Sequence, residues 1–210
     1  IRLSRNVTFF YCLQFYLWYN RSKIFHELRR GELRMKTKNL VLIAMLLGMG
    51  TVLSLILAIT NFGMRPDVLL TMMFIAILLF PEARHVLLIG LLTGFLSGLI
   101  STFPGGVIPN IIDKLVTAFV CLALVLALQK VGNAILKAGI VSVLGTLVSG
   151  VVFLGAALII VELPAPFLVL FTTVVLPAVV LNTILIAIVY PIVQSVMKRS
   201  NFEPIEKSAS

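Results

Sequence analysis

The sequence predicts an all-α integral membrane protein, a bundle of six transmembrane helices with both termini in the cytoplasm. Three observations lead there. Hydrophobic residues make up 60% of the chain, charged residues only 12%, and the mean hydropathy is +1.13. A soluble domain is about half apolar and about a quarter charged, so one water-facing core cannot hide this much apolar surface. Most of the apolar residues fall in runs near the ~20 residues that a helix needs to cross a bilayer, separated by Gly/Pro-containing breaks. The Lys and Arg residues gather at alternate breaks, the asymmetry that sets orientation.

The net charge of +9 does not indicate nucleic acid. The basic residues sit in short clusters between apolar runs, with no basic face and no RNA-reading motif. Cys12 and Cys121 are far apart and lack metal-ligand spacing, so neither a disulfide framework nor a zinc site is expected.

The first 34 residues differ from the rest. They are basic (Arg2, Arg5, Arg21, Lys23, Arg29, Arg30, Arg34) around one aromatic stretch, residues 7–19, which is too short to span and is interrupted by Gln14. This stretch is either an interfacial aromatic-basic helix or upstream sequence that the native protein lacks. The run Met35-Lys36-Thr37-Lys38-Asn39 favours the second reading, because it reads as a bacterial start followed by a positive segment. The expected organisation is a doubtful extension over 1–34, a transmembrane domain over 35–200 and a polar tail over 201–210.

Helix 1 is expected over 40–59, apolar on all faces, and the break Thr60 to Asp67 ends it. Helix 2, over 68–80, is short for a span. The turn Pro81-Glu82-Ala83-Arg84 leads to helix 3, over 85–102, where Gly90, Gly94 and Gly98 line one stripe as a close packing seam. Phe103-Pro104-Gly105-Gly106 is a strong turn signal. Helix 4 follows over 109–128, then a basic loop and helix 5 over 138–161. After Glu162-Leu163-Pro164-Ala165-Pro166, helix 6 runs over 167–197 with kinks expected at Pro177 and Pro191. Lys36, Lys38, Arg84, Lys130, Lys137, Lys198 and Arg199 fall on one side; only Arg65 and Lys114 fall on the other. The basic side is cytoplasmic by the positive-inside rule.

Ionisable groups at membrane depth are costly and therefore functional candidates. Arg65-Pro66-Asp67 stands at the start of helix 2, and Asn110 with Asp113-Lys114 at the start of helix 4. One reading makes Asn110 an N-cap with Asp113 three residues on, and Lys114 a snorkelling side chain. The other makes the Gly-rich turn and helix N-terminus an anion site, where an Asp/Lys pair holds both ends of a zwitterion such as an amino acid. Arg65 and Asp67 offer the same pairing, or an exposed ion pair worth little. Asn182, inside apolar helix 6, either cross-links helices or faces the substrate. Glu82, Arg84 and His85 read as a solvated inner loop, short of the ligands a metal or an intramembrane hydrolase needs. No Gly-rich Lys-Ser/Thr phosphate loop and no chain of carboxylates is present, so energy is expected from a partner.

From Met35 onward the chain resembles the tryptophan-transport S components of energy-coupling factor (ECF) transporters. The most specific stretch is Phe103-Pro104-Gly105-Gly106-Val107-Ile108-Pro109-Asn110-Ile111-Ile112-Asp113-Lys114. The resemblance implies a substrate-capture subunit that binds tryptophan, or a related aromatic amino acid, from outside. It implies docking onto a transmembrane coupling protein with two cytoplasmic ATPases, in the plasma membrane of a bacterium. Ala44-Met45-Leu46-Leu47-Gly48 has the spacing of the family's helix 1 docking motif, with Gly replacing the second Ala. Trp18, the sole tryptophan, lies in the doubtful extension, so a chain starting at Met35 contains none. No cofactor and no catalytic constellation is expected. The alternatives are a self-sufficient secondary carrier of a small amphipathic solute and an accessory membrane subunit that binds no solute.

Overall fold

The computed structural model describes residues 37–59, 67–101, 105–160 and 166–199. The N-terminal aromatic stretch with the boundary expected at Met35, Arg65, Phe103 and Pro104, Glu162 and the tail from 200 lie outside the described residues. Of the chain's first unit, residues 1–40, only the opening turn of the first helix is described; the architecture below is that of the second unit, 41–210.

The elements are α1 (Thr37–Ile59), α2 (Val68–Leu79), α3 (Ala83–Ile100), α4 (Val107–Ala127) and α5 (Ala134–Ile160). A 3-10 turn, Leu128–Lys130, closes α4. The last rod, α6, joins three pieces without a break: Phe167–Leu170, a π-helical stretch Phe171–Val175, and Leu176–Arg199. Among the described residues every regular element is helical.

Five of the six, all but α2, are long and apolar enough to cross a membrane. The 12 residues of α2 rise only about 18 Å, short of the ~30 Å hydrocarbon core. Every residue of α2 is buried. It packs against α3, α4, α5 and α6, and α1 lies along it where Gly50 meets Met72 and Leu69 and where Ser54 Oγ accepts from the Leu69 amide at 3.2 Å. The chain thus threads one short helix through a sheath of five longer ones, and the expected sixth span is this enclosed helix.

The outside of the sheath is apolar. Met45, Val52, Phe95, Leu99, Ile159 and Ile188 are all exposed, an apolar exterior too continuous for water and suited to lipid. α3 and α4 run antiparallel, as the pairing of Gly90 with Ala118, Gly94 with Ile111 and Gly98 with Val107 requires.

That pairing is the seam expected from the glycine stripe. A Cβ built on Gly94 would stand 2.8 Å from Ile111 Cα, and one on Gly98 2.9 Å from Val107 Cα. Backbone, not a movable side chain, occupies the space, so α3 and α4 meet at backbone distance. The start of α4 corrects the expected boundary by two residues. Gly105 takes φ of 70°, a left-handed turn conformation that suits glycine, and Gly106 precedes the first helical residue. Pro109 then falls in the first turn, where a missing N–H is tolerated.

The strain expected at Pro177 is absorbed upstream. A helical proline has no N–H to give and clashes with the carbonyl four residues back. Here the preceding turn widens to π spacing, and the Leu176 amide donates to Phe171 O. The Thr173 hydroxyl donates to Val169 O at 2.6 Å, and that of Thr172 to Leu168 O at 2.9 Å. The widened turn carries Val175 inward against α5 at Gly150, a place with no room for a Cβ. Pro191 lies inside a helical segment that continues past it.

The inner turn between α2 and α3 also departs from expectation. His85 is 2% exposed, with its ring 5.8 Å from that of Phe80. Its Nδ1 lies 3.1 Å from Glu82 Oε2, a contact without hydrogen-bond alignment. Only the turn itself is solvated, because α3 begins early enough to carry His85 into the bundle.

The seam generates a paired prediction. Gly94→Ala is expected to lower thermal stability in detergent by about 1–3 kcal/mol, since overpacked backbone has to move. Gly48→Ala, with nothing within 4 Å of its ideal Cβ, is expected to be neutral or stabilising by up to about 1 kcal/mol. Circular dichroism melts of the two variants side by side check the difference.

Candidate functional site

The polar residues that the sequence places in two clusters converge at one end of the bundle. That end is formed by the last turns of α1 and α3, the first turns of α2 and α4, the second half of α5 and the first half of α6. Lys114, in the second turn of α4, is the hub. Its Nζ donates to Asp113 Oδ2 at 2.9 Å, to Ser149 Oγ at 3.1 Å and to Asp67 Oδ2 at 3.2 Å. An ammonium has three donors, and all three are used.

Asp113 is 1% exposed and as fully engaged. Its Oδ1 accepts from Thr117 Oγ1 at 2.9 Å and its Oδ2 from Ser149 Oγ at 2.8 Å. Asp67 does two jobs at the head of α2. Its Oδ1 accepts from the Leu70 amide at 2.9 Å as an N-cap, while Oδ2 reaches Lys114. Its own amide donates to Asn182 Oδ1 at 2.8 Å, and Asn182 Nδ2 donates to Thr146 Oγ1 at 3.3 Å. Asn182 therefore ties α2, α5 and α6 together, the cross-linking alternative, and it also lines the cavity described next.

Beside this network lies a cavity of about 620 Å³, within the range of small-molecule sites. Asp67, Asn110, Asp113, Lys114, Ser149 and Asn182 give it a polar face; Leu69, Ile100, Phe153, Leu154, Val175 and Leu181 give it an apolar one. The arrangement can hold a molecule with charged groups at one end and an apolar body at the other. Two carboxylates face one ammonium in the described cluster.

Asn110 is not an N-cap. Because α4 begins at Val107, Asn110 sits one turn inside the helix, where its Nδ2 donates to Gly106 O at 2.7 Å and its Oδ1 accepts from Ser97 Oγ at 2.9 Å. The same shift moves Asp113 and Lys114 beyond the reach of the helix N-terminus, so side chains and not orphan amides satisfy them. Of the residues singled out from sequence, Asp67, Asn110, Asp113, Lys114 and Asn182 come together here; Arg65 lies outside the described residues. Ala44 and Gly48 are exposed on α1, away from the cavity.

Sequence reasoning missed Thr117, Thr146 and Ser149. A signal existed: Ser142, Thr146 and Ser149 recur at i, i+4 and i+7 in otherwise apolar α5, which puts them on one face. All three are buried. Phe153, one turn further on, is the wall's aromatic ring.

Comparison with known proteins adds an independent line. A family model described as "Tryptophan transporter TrpP" matches residues 36–198. A "Probable tryptophan transport protein" of Bacillus subtilis is 50% identical over 168 residues, covering 80% of this chain and 97% of its own length. Proteins of the same description from Clostridium acetobutylicum and Clostridium perfringens are 43% and 39% identical, over 79% and 81% of this chain and 97% and 98% of their own lengths. No solved structure matches the chain.

The hub fixes an order of stabilities. Lys114→Met strips the cation from buried Asp113, and the loss of one partner of such a pair is expected to destabilise by about 3–5 kcal/mol. Asp113→Asn leaves Lys114 paired with Asp67 and is expected to lose about 1–3 kcal/mol. Thermal unfolding in detergent checks whether the lysine variant is the weaker of the two.

Proposed function

The chain belongs to the TrpP family of tryptophan transporters, and from that premise we propose that it is the substrate-capture subunit of a tryptophan uptake system. The observation that carries the proposal is the cavity of about 620 Å³ with charged groups on one face and an apolar wall on the other. An α-amino acid with an indole side chain matches both: a zwitterionic head for Asp67, Asp113, Lys114, Asn110 and Asn182, and a flat apolar body for Phe153, Leu154 and the α6 wall. Members of the family that carry the description of tryptophan transport make tryptophan the first ligand to test.

The cavity faces outward in this proposal. Arg84, Lys137 and Arg199 stand at the ends of α3, α5 and α6 remote from it, and Lys130 and Lys198 follow the same pattern in the sequence. The positive-inside rule assigns that end to the cytoplasm and the cavity to the outer side, which also puts both termini inside. Energy comes from a partner: a membrane coupling subunit with two cytoplasmic ATPases. The exposed pair Ala44 and Gly48 on α1 suits close approach by such a subunit, since nothing lies within 4 Å of where a Gly48 Cβ would stand.

Two outcomes test the proposal. The purified full chain is expected to bind radiolabelled L-tryptophan saturably without ATP, and proteoliposomes to accumulate it only when coupling and ATPase proteins are added. Uptake by the chain alone under an ion gradient would make it a secondary carrier, and no binding by folded protein would make it an accessory subunit. Ala44→Trp is expected to abolish co-purification with the coupling complex while tryptophan binding stays within about threefold of wild type, the scale of an ordinary surface change. Undiminished assembly would remove α1 from the docking face.

A further inference from the structure

We propose that the Lys114–Asp67 ion pair is an exchangeable one, replaced on binding by the two charges of the ligand, so that Asp67 selects a zwitterion over a ligand with a single charge. This rests on the capture reading above and goes a step beyond it, to the residue that reads the ammonium.

The inference follows from hydrogen-bond capacity. Lys114 is the one cation facing the cavity among the described residues, and its three donors are already committed. A ligand carboxylate therefore cannot bind it without displacing an acceptor. The three acceptors are not equally held. Asp113 is 1% exposed and is also gripped by Thr117 and Ser149. Ser149 is buried and bonded to both Asp113 and Lys114. Asp67 makes the longest of the three contacts, 3.2 Å, and its side chain is 36% exposed. It is the arm that can leave.

Leaving is inexpensive for α2. The capping bond to Leu70 runs through Oδ1 and the Lys114 contact through Oδ2, so a small rotation of the carboxylate frees one oxygen without uncapping the helix. The freed oxygen and the freed donor then stand on opposite sides of the space they vacate. An α-amino acid carries its carboxylate and ammonium on one carbon, so one molecule can take the donor with its carboxylate and the oxygen with its ammonium. One ion pair is exchanged for two. A ligand with only one of the charges leaves Lys114 one acceptor short or Asp67 without its ion partner, so it recovers only half of what the exchange gives up.

The test is a panel of three indoles on the full chain in detergent, followed by calorimetry: L-tryptophan, indole-3-propionate (no ammonium) and tryptamine (no carboxylate). Wild type is expected to prefer tryptophan over either analogue on the order of 100-fold. In Asp67→Asn the amide oxygen still caps α2, but the competing negative charge is gone. Tryptophan should bind more weakly, indole-3-propionate more tightly, and tryptamine no better than to wild type. The preference for tryptophan over indole-3-propionate should fall by about tenfold or more. A smaller fall, with wild type binding tryptophan, overturns the exchange and leaves capture standing. No tryptophan binding by folded wild type overturns both. Asp67→Ser, which also keeps an N-cap oxygen, replaces the asparagine variant if circular dichroism shows that one unfolded.

Discussion

The Lys114 ammonium, buried inside an apolar bundle, sets the terms for the rest of this structure. A charge at membrane depth has to be met by partners from the protein itself, and Lys114 meets three, drawn from three helices: Asp67 at the head of α2, Asp113 on its own α4 and Ser149 on α5. Asn182 extends the network to α6 through the Asp67 amide and Thr146. These bonds hold one end of the bundle in register, and a cavity lies alongside them. In the proposed function, stability and recognition draw on the same side chains.

The packing below the cluster explains how it can be so closely satisfied. α2 is too short to cross a bilayer and is buried along its whole length, so its N-terminus stops within the bundle and delivers Asp67 to Lys114. The backbone-distance seam between α3 and α4 fixes where Lys114 emerges, and the π-helical stretch before Pro177 pushes Val175 into the cavity wall. The cluster has a rigid half and a looser one. Asp113, Ser149 and Thr117 form a buried group joined through the Asp113 carboxylate, while Asp67 is partly open. That asymmetry is what the proposed exchange draws on: Asp67 caps α2 through one oxygen and reaches Lys114 through the other.

Much of the fold was legible in the sequence because the bilayer imposes a simple code: long apolar runs separated by Gly/Pro breaks. The glycine seam was legible for the same reason, since four-residue spacing puts Gly90, Gly94 and Gly98 on one stripe. The site was legible as residue types but not as a site. Asp67 and Lys114 are 47 positions apart, and their pairing depends on how deep α2 ends, which no local pattern encodes. Of the two readings of Asn110, the cap fails because a two-residue shift in the start of α4, set by Gly105 and Gly106, places it inside the helix. His85 was expected in water because its neighbours Glu82 and Arg84 are charged; its place in the first turn of α3 buries it. Ser149 and Thr146 went unnoticed because a hydroxyl in an apolar helix looks unremarkable until its i, i+4, i+7 partners are counted.

The central claim is that the cavity beside Lys114 is where the substrate is held. The most direct measurement is the anomalous signal of 5-bromo-L-tryptophan in crystals of the full chain, because bromine marks the indole ring without dependence on fine density. The account predicts one strong peak inside the cavity, among Phe153, Leu154 and the α6 wall, with the amino-acid head toward Lys114 and Asp67. A peak on the outer, lipid-facing surface, or between helices on the side remote from Lys114, would contradict it.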